Sequence, residues 1–366
     1  MKKIIALVVS AMLILSFGII GNAASSTMPA KKTVKVGFIY VGPVGDGGYT
    51  FAHNQGRLFL EKTLKVKTMI LESIKEDPVE VQKACDRLVD QGANVIFGTS
   101  FGFMDGMVKA AKKYPNVVFM HCSGYKMNDT NMGNYFGRME QPRYLSGIAA
   151  GLKTKTNKLG YVAAFEIPEC IRQINAFTLG AQSVNPKVQV VVKWTHTWYD
   201  PMKEKDAAKA LLEQDGVDVI AQHQDTAGPM QAAQDKGKFA IGFNTDAAKV
   251  VPKAYITAPI WNWGPYYVKV VKQVMAGTWK PTSYWGGMQD GIVKLAPLTK
   301  NAAPKTAAKI AAAQKKILAK PNMEFAGPIY DQAGKLRVAK GKVLTDAEQL
   351  SMDMNWFVKG VIGKTK

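Results

Sequence analysis

The sequence predicts an α/β protein with two similar lobes, each built around a parallel β-sheet. Short apolar strands alternate with amphipathic helices from Val36 onward, which is typical of a parallel sheet covered by helices on both faces. The strands are nearly continuous apolar runs, such as "NVIFG" and "VVFMH", as burial of both faces requires. The order of elements repeats in the second half, so the chain carries too many strands for one sheet and about enough for two lobes.

The elements follow one another in two series. The first contains the strand "VKVGFIYV", a helix from about Phe51 to Leu64, the strand "KTMILES", the helix "DPVEVQKACDRLVDQG", the strand "NVIFGTS", the helix "GFMDGMVKAAKKYP" and the strand "NVVFMHCSG". The second runs from "KLGYVAAF" through "AFTLGAQSVNP", "VQVVVKWTHTW", "DPMKEKDAAKALLEQ", "VDVIAQH" and "AGPMQAAQDKG" to "FAIGFNTD". The remainder predicts a long helix, an Ala/Lys-rich helix from about Lys305 to Leu318 with a solvated lysine face, and a hairpin at "GPIYDQAGKLRV".

Residues 1–23 are expected to form a secretory signal peptide. Two lysines precede a largely apolar run from Ile4 to Ile20, and small residues at Gly21 and Ala23 predict cleavage after Ala23. An uncleaved anchor is the alternative, because the run approaches membrane-spanning length. The segment has no cysteine for lipid attachment. We therefore expect a soluble protein that is secreted across the inner membrane and is periplasmic or otherwise extracytoplasmic.

The chain is basic, with a formal charge of +20 that falls to +18 without Lys2 and Lys3 of the signal segment. The lysines are spread along the chain instead of forming one block with interleaved aromatic residues, so nucleic acid is not an expected partner. Attraction to an anionic membrane surface or partner is a secondary expectation. The cysteines Cys85, Cys122 and Cys170 show no metal-type spacing; we expect buried small side chains, with one disulfide left open as an alternative.

Signatures of catalysis are missing from the sequence. It contains no G-x-S-x-G, H-E-x-x-H or G-x-x-x-x-G-K-[ST] motif, and the histidines His53, His121, His196 and His223 lack metal-type spacing. We therefore expect no enzyme, no metal and no cofactor. A secreted nucleoside hydrolase that uses carboxylates is the alternative from another class of protein.

The loop "GPVGDGGYT" follows the first strand. Its glycines at positions 42, 45, 47 and 48 lack the G-x-G-x-x-G register, so a dinucleotide site is not favoured. The glycines allow a tight turn, while Asp46 supplies an acceptor and Tyr49 an aromatic face. Ligands of open parallel sheets bind beyond the carboxyl ends of the strands, where this loop lies.

Aromatic, carboxylate and amide side chains recur after the other strands of both lobes. Such a set suits a flat heteroaromatic ring with N–H groups, because stacking holds the ring and acceptors bind its edge. Arginine and lysine, which a phosphate would require, are missing there, so an uncharged purine or nucleoside is favoured over a nucleotide. For each residue alone, packing or helix capping is an equally good interpretation. The strand-end residues are Thr99, Ser100, Phe101, Ser123, Gly124, Glu166, Trp198, Tyr199, His223, Asp225, Asn244 and Asp246.

Four segments together resemble a known family. The segments are "VGFIYVGPVGDGGYTFAHNQGR", "ANVIFGTSFGFMDGMVKAAKKYPNVVFMHCSG", "NYFGRMEQPRYLSGIAAG" and "WNWGPYYVKVVKQVMAGTW". They resemble the basic membrane protein (BMP) family, the purine-nucleoside receptor type of ABC-transporter substrate-binding proteins, over nearly the whole chain after the signal segment. The resemblance implies a type I periplasmic binding protein fold, in which two Rossmann-like lobes joined by three hinge crossovers close on a ligand.

By this resemblance, the N-terminal lobe comprises residues 33–140 plus 262–288, and the C-terminal lobe comprises residues 141–261 plus 289–366. The resemblance also implies a monomer that delivers its ligand to an ABC transporter permease in the membrane. We therefore expect a solute-binding protein that captures a purine, either a free base such as adenine or a purine nucleoside. The alternatives are the same fold binding a sugar or other small polar solute, and surface adhesion through the basic face.

The resemblance assigns roles within the cleft. It places Asp46, Tyr49, Phe101 and Phe103 against the ligand, and Asp246 on a sugar hydroxyl.

The sequence departs from the family at "AFEIPE" and "WTHTWYDP", where Glu166, Trp194 and Trp198 are expected to crowd the cleft. This bulk would fill the sugar subsite and admit a free base only, with Glu166 or Asp225 accepting from an exocyclic amine. The full expectation is stacking by Tyr40, Tyr49, Phe103 and Trp198, edge recognition by Asp46, Asn54, Glu166, Asp225 and Asp246, contacts from Ser100, Phe101 and Gly124, and capping or packing of the cleft by Trp261.

Overall fold

The first part of the chain alternates strands and helices as the sequence predicts. A computed structural model describes residues 28–365, so the expected signal peptide at residues 1–23 lies outside the described residues. A short 3-10 turn at Phe101–Phe103 precedes the third helix. The elements are β1 (Lys35–Ile39), α1 (Tyr49–Leu64), β2 (Lys67–Leu71), α2 (Pro78–Asp90), β3 (Val95–Gly98), α3 (Met104–Lys113), β4 (Val118–Cys122) and β5 (Met132–Gly137).

The second series of elements repeats this alternation. Asp200 caps the helix that starts at Pro201 by accepting a hydrogen bond from Lys203 N. The elements are α4 (Glu140–Lys153), β6 (Lys158–Ala163), α5 (Pro168–Gln182), β7 (Gln189–Trp194), α6 (Pro201–Gln214), β8 (Val219–His223), α7 (Gly228–Asp235), β9 (Phe239–Ile241) and β10 (Tyr255–Thr257).

The rest of the chain returns to the first lobe and then completes the second. These elements are β11 (Pro259–Trp261), α8 (Gly264–Ala276), β12 (Ser283–Gly286), β13 (Val293–Leu295), α9 (Thr306–Ala319), β14 (Ile329–Tyr330), β15 (Leu336–Val338), α10 (Asp346–Leu350) and β16 (Val361–Ile362). Strands β14 and β15 pair as the predicted hairpin. Helix α9 packs on α4 through the buried Ile310 and Ile317, and leaves its lysines on the outer face.

Two six-stranded sheets confirm the predicted fold class. Their strand orders are β12-β5-β4-β3-β1-β2 and β10-β9-β8-β6-β7-β16, and neighbouring strands are parallel throughout. Apolar clusters lie on both faces of each sheet, which explains why the strands are apolar along their whole length. Each lobe therefore has its own core.

Three segments join the lobes. The chain passes from β5 into α4, returns along β11, and crosses again between β12 and β13. Strands β11 and β13 pair antiparallel, with Trp261 opposite Val293, so two of the crossings support each other. The three crossings bring the carboxyl ends of both sheets to face one cleft.

The cysteines are buried and free of disulfides. This confirms the expectation of small buried side chains, and the disulfide left open for Cys85, Cys122 and Cys170 is not formed. Within residues 28–365, no helix combines the length and apolar character that crossing a bilayer requires. The same residues contain no cluster of three His, Cys, Asp or Glu side chains with metal-site geometry.

Candidate functional site

A cavity lies between the lobes, at the carboxyl ends of the strands of both sheets. The space between its walls, counted together with the solvent at its open side, amounts to about 360 Å³. Aromatic rings form most of its wall, two carboxylates line it, and none of its lining residues is a lysine or an arginine. The lining residues are Val41, Tyr49, Ser100, Phe101, Ser123, Glu169, Trp198, His223, Asp225, Phe243 and Trp261.

The loop "GPVGDGGYT" places Tyr49 in the first turn of α1. The Asp46 carboxylate accepts hydrogen bonds from the main-chain N–H groups of Gly48 (2.8 Å), Thr50 (2.9 Å) and Phe51 (2.9 Å). Burial raises the pKa of this carboxyl group, although the three hydrogen bonds oppose the shift. Asp46 therefore holds the turn and caps the helix, and its oxygens are not directed at the cavity.

An aromatic column supports the floor of the cavity. The Tyr49 ring meets His53 edge-on with 4.4 Å between centroids, His53 stacks on Trp263 at 4.4 Å, and Trp263 stacks on Trp261 at 4.2 Å. Burial lowers the pKa of His53 well below its usual value, so the imidazole in this column is neutral. The column links α1 to the hinge strand β11.

The second lobe contributes its own aromatic wall. The Trp198 ring lies 5.0 Å from Phe165 and 6.0 Å from His223, and His223 lies 4.5 Å from Phe243. His223 is the last residue of β8, and the other three residues lie in the loops that follow β6, β7 and β9. The cavity is therefore lined by rings from both lobes.

The carboxyl group of Asp225 is held by a short hydrogen-bond chain. Trp261 Nε1 donates to Asn244 Oδ1 (3.0 Å), and Asn244 Nδ2 donates to Asp225 Oδ1 (3.2 Å). Burial raises the pKa of Asp225 well above its usual value, and the nearby carboxyl groups of Asp46 and Glu204 raise it further. A ligand that donates to Asp225 would oppose this shift.

The second carboxylate in the wall, Glu169, begins α5. It accepts from Ser123 Oγ across the cleft, and His223 Nε2 lies 3.4 Å from its Oε1. Burial alone would raise the pKa of Glu169, but the hydrogen bonds from His223 and Ser123 and the positive charge of Arg172 hold it below the usual value. Burial lowers the pKa of His223 despite this carboxylate. The pair is thus a carboxylate beside a neutral imidazole.

The lobes touch each other around the cavity. A β-carbon on Gly48 would lie 2.2 Å from the main-chain oxygen of Asp225 in the opposite lobe, so only glycine permits this approach. Three hydrogen bonds also cross the cleft. They join Trp198 Nε1 to Glu76 Oε2 (3.2 Å), Thr245 Oγ1 to the Gly47 carbonyl (2.6 Å) and Ser123 Oγ to Glu169.

A second cavity, of about 630 Å³ when the solvent at its mouth is included, adjoins the first. Phe101, Ser123 and Glu169 line both cavities, so the hydrogen bond between Ser123 and Glu169 stands at the partition. The other lining residues are Gly124, Tyr125, Asn134, Phe136, Pro168, Arg172, Ser283, Tyr284, Trp285, Leu350 and Met352.

The structure brings together about half of the residues that the sequence nominated. Those that line the first cavity are Tyr49, Ser100, Phe101, Trp198, Asp225 and Trp261. Their contact with a ligand stays a prediction.

Four nominated residues of the first lobe have other positions. Tyr40 and Phe103 are fully buried in the cores on the two faces of the sheet, so neither ring is available for stacking. Asn54 accepts from Arg57 Nε (2.7 Å) on the same helix, one turn away. Asp46 caps α1, as described above.

Three residues of the second lobe that were expected in the cleft lie elsewhere. Glu166 faces His196, with 3.5 Å between Oε2 and Nδ1, and does not line the cavity. Asp246 is exposed and accepts from Ala248 N (3.0 Å) in its own turn. Trp194 donates to the Lys364 carbonyl (2.8 Å), far from the expected crowding of the cleft. In the first lobe, Gly124 lines the adjoining cavity instead of the first one.

Five lining residues were not nominated. Ser123 and His223 had been noted at strand ends, but Val41, Glu169 and Phe243 had not been selected. Phe243 ends the run "FAIGF", so the strand-end pattern could have identified it. Glu169 lies three residues after Glu166, in the first turn of α5. Only the direction of this helix shows that Glu169 points at the cleft.

The fold and the cavity define a class of protein. Two parallel-sheet lobes, three crossovers and a cavity between the lobes are the architecture of the type I periplasmic binding protein fold. Solved solute-binding proteins of ABC transporter systems have the same fold. One from Aeropyrum pernix K1 aligns with a TM-score of 0.65 at 20% identity over 77% of this chain and 86% of that one. Another, from Conexibacter woesei, aligns with a TM-score of 0.62 at 21% identity over 78% and 97%.

Residues 33–323 match the Bmp family model, described as ABC transporter substrate-binding protein PnrA-like. The chain belongs to this family, which confirms the resemblance seen in the sequence. A purine-binding protein of Brucella abortus is 42% identical over 343 residues, covering 92% of this chain and 95% of the relative. A Haloferax volcanii protein, named for glucose binding by an ABC transporter, is 35% identical over 334 residues, covering 91% and 81%.

Proposed function

We propose that this substrate-binding protein captures a purine in the cavity between its lobes, outside the cytoplasm, and delivers it to an ABC permease. The observation that carries the proposal is the composition of the wall, which combines aromatic rings with the carboxyl groups of Glu169 and Asp225 and lacks basic side chains. Rings stack on a planar base, and carboxylates accept from its N–H groups. The purine-binding name of the Brucella abortus relative supports this ligand class.

A phosphate group does not suit this cavity. Phosphate sites in proteins use arginine, lysine or the N–H groups of a helix N-terminus. Here the N–H groups at the start of α1 are already taken by Asp46, and two carboxylates would repel the phosphate. The ligand is therefore an uncharged purine and not a nucleotide.

The free base is the form that the cavity favours over the nucleoside. The lobes leave little free space between them, and the indole rings of Trp198 and Trp261 line what remains. The position of Asp246 in an exposed turn also removes the residue that was expected to bind a sugar hydroxyl. A ribose would require the lobes to stay further apart.

Capture is coupled to closure of the lobes. The wall comes from both lobes, so a ligand that contacts both stabilises the closed arrangement over the open one. The direct hydrogen bonds across the cleft then add to this stabilisation. The protein is expected to work as a monomer whose closed form the permease recognises.

A panel of titrations tests the proposal. Ligand-stripped protein would be titrated calorimetrically with adenine, guanine and hypoxanthine, with the matching nucleosides, and with ribose as the control. We expect one-site binding of at least one base, and binding of nucleosides weaker by about tenfold or more. Tighter binding of nucleosides would contradict the choice of the free base.

A matched pair of variants locates the site. Asp225→Asn removes a carboxylate from the wall and should weaken base binding by about tenfold or more, because it removes a charged acceptor. Asp246→Asn makes the same chemical change at an exposed turn and should leave affinity within about twofold. Equal effects of the two substitutions would refute the assignment of the cavity.

A sugar is the second candidate ligand. The Haloferax volcanii relative carries the name of a glucose-binding protein, and aromatic rings with carboxylates also bind sugars. Glucose belongs in the same titration panel for this reason. Ultraviolet absorbance of material released by denaturing the purified protein separates the two classes, since purines absorb strongly and sugars do not.

A further inference from the structure

We propose that the cavity discriminates between purines by the hydrogen-bond polarity of the group at position 6, taking 6-amino bases such as adenine and rejecting 6-oxo bases such as hypoxanthine. This inference rests on the purine site proposed above. Its basis is that the side-chain donors of the wall are already bonded to the protein, so the side chains offer the ligand mainly acceptors.

The two serine hydroxyl groups of the wall donate to protein carboxylates and not to the ligand. Ser100 Oγ donates to Glu76 Oε1, and Ser123 Oγ donates to Glu169 Oε2. A serine hydroxyl has a single hydrogen, so each oxygen retains only lone pairs for the cavity. Both serines are therefore acceptors toward a ligand.

The ring donors of the wall are engaged in the same way. Trp198 Nε1 donates to Glu76 Oε2 (3.2 Å), and Trp261 Nε1 donates to Asn244 Oδ1 (3.0 Å). Indole has no other polar hydrogen. The hydroxyl of Tyr49 lies 3.4 Å from Cys122 Sγ, and either atom can be the donor in this contact, so the Tyr49 O–H is the one hydroxyl of the wall that can turn toward a ligand. These rings offer faces to the ligand and no free N–H.

The remaining polar groups of the wall are acceptors. Glu169 is a carboxylate beside His223, whose Nε2 lies 3.4 Å from Oε1. With its proton on Nε2, the imidazole carries a lone pair on Nδ1, and this atom has no partner among the described residues. Asp225 adds a second carboxyl group, which Asn244 contacts at one oxygen only; burial favours its protonated form, and a ligand N–H at the other oxygen favours the ionised, accepting form.

Free donors near the cleft lie on the other side of the partition. Asn134 Nδ2 and Trp285 Nε1 are buried without a partner among residues 28–365, and both residues line the adjoining cavity. The hydrogen bond between Ser123 and Glu169 stands between them and the first cavity. The two cavities thus differ in polarity, one rich in acceptors and the other in donors.

The affinity of a purine for this cavity depends on which of its groups, donors or acceptors, face the acceptors of the wall. Adenine and hypoxanthine both have ring N–H groups that can donate to carboxylates. At position 6, however, the amine of adenine donates, whereas the carbonyl of hypoxanthine brings a second acceptor against a carboxylate and leaves both groups desolvated without a bond. Sites built for one hydrogen-bond polarity discriminate strongly against the opposite one. We expect adenine to bind between about tenfold and 100-fold more tightly than hypoxanthine, which has nearly the same size.

Calorimetric titration of the wild-type protein with adenine and hypoxanthine tests the inference. A Glu169→Gln variant provides a stronger test, because its amide can donate to a carbonyl where the carboxylate cannot. In this variant the ratio of the affinity for adenine to the affinity for hypoxanthine should be about tenfold smaller than in the wild-type protein. The matched control is Glu166→Gln, which changes a carboxylate outside the cavity and should keep the wild-type ratio.

The outcomes separate this inference from the proposed function. Binding of hypoxanthine as tight as that of adenine, or tighter, overturns the polarity argument and leaves the purine site standing. Binding of neither base, with binding of glucose, overturns the proposed function itself. An unchanged ratio in Glu169→Gln contradicts the role given to this carboxylate.

Discussion

Replacement of Trp198 by phenylalanine isolates the contribution of closure to affinity. The indole lines the cavity and also donates from Nε1 to Glu76 Oε2 of the opposite lobe at 3.2 Å. Phenylalanine keeps an aromatic face for the ligand but cannot donate. In the open form this donor is hydrated, so the loss falls almost entirely on the closed, liganded form.

The size of the effect follows from the hydrogen bond and its surroundings. A bond to a charged acceptor is worth about 1.5 to 3 kcal/mol when buried, but Glu76 is exposed, so about 1 kcal/mol is the appropriate figure. Since 1.4 kcal/mol corresponds to a factor of about ten, Kd should rise about fivefold for Trp198→Phe. Most of the change should appear as faster dissociation.

Trp194→Phe is the matched control for this prediction. Its indole also donates a hydrogen bond, to the Lys364 carbonyl at 2.8 Å, but it lies outside the cavity. Stopped-flow dissociation and calorimetric titration of both variants with the same base make the comparison. An unchanged Kd for Trp198→Phe, or an equal loss in Trp194→Phe, would refute the interlobe bond as a determinant of affinity.

Other substitutions and conditions test separate parts of the account. Gly48→Ala should obstruct closure and weaken binding by tenfold or more, since its β-carbon would lie 2.2 Å from Asp225 O, whereas Gly45→Ala, with nothing within 4 Å, should bind normally; titration and small-angle scattering with ligand measure both. Burial raises the pKa of Asp225, and the ligand requires its carboxylate, so affinity should fall as pH is lowered through that pKa, with proton release detected by titration in buffers of different ionisation enthalpy. Ile317→Ala should destabilise the protein by about 2 to 4 kcal/mol, whereas Leu318→Ala on the exposed face should cost less than about 1 kcal/mol; urea unfolding decides this pair.

The fold was predictable because its signal is spread along the whole chain. Apolar runs bounded by turns recur at each strand, and helix α9 was expected within one or two residues of its observed bounds, Thr306–Ala319. A strand that is covered by helices on both faces must be apolar along its whole length, so an apolar run in the sequence indicates a strand of a covered parallel sheet. The resemblance then supplied what periodicity does not, namely that three crossovers join two lobes around one cleft.

The site was less predictable because it depends on the direction in which each individual side chain points. The strand-end pattern locates a loop, but it does not show which residue of the loop points at the cleft. In "FEIPEC" the expected carboxylate was Glu166, and the start of α5 at Pro168 turns Glu169 inward instead. Tyr40 follows β1 directly, yet its ring packs into the first lobe beneath the covering helices.

The structure of a complex with adenine tests the central claim most directly. Crystals grown from ligand-stripped protein with added adenine should show the base in the cavity between the lobes, in contact with the Tyr49 and Trp198 rings and donating to Asp225. A base bound elsewhere, or a cavity that stays empty at saturating adenine while another solute fills it, would contradict the account.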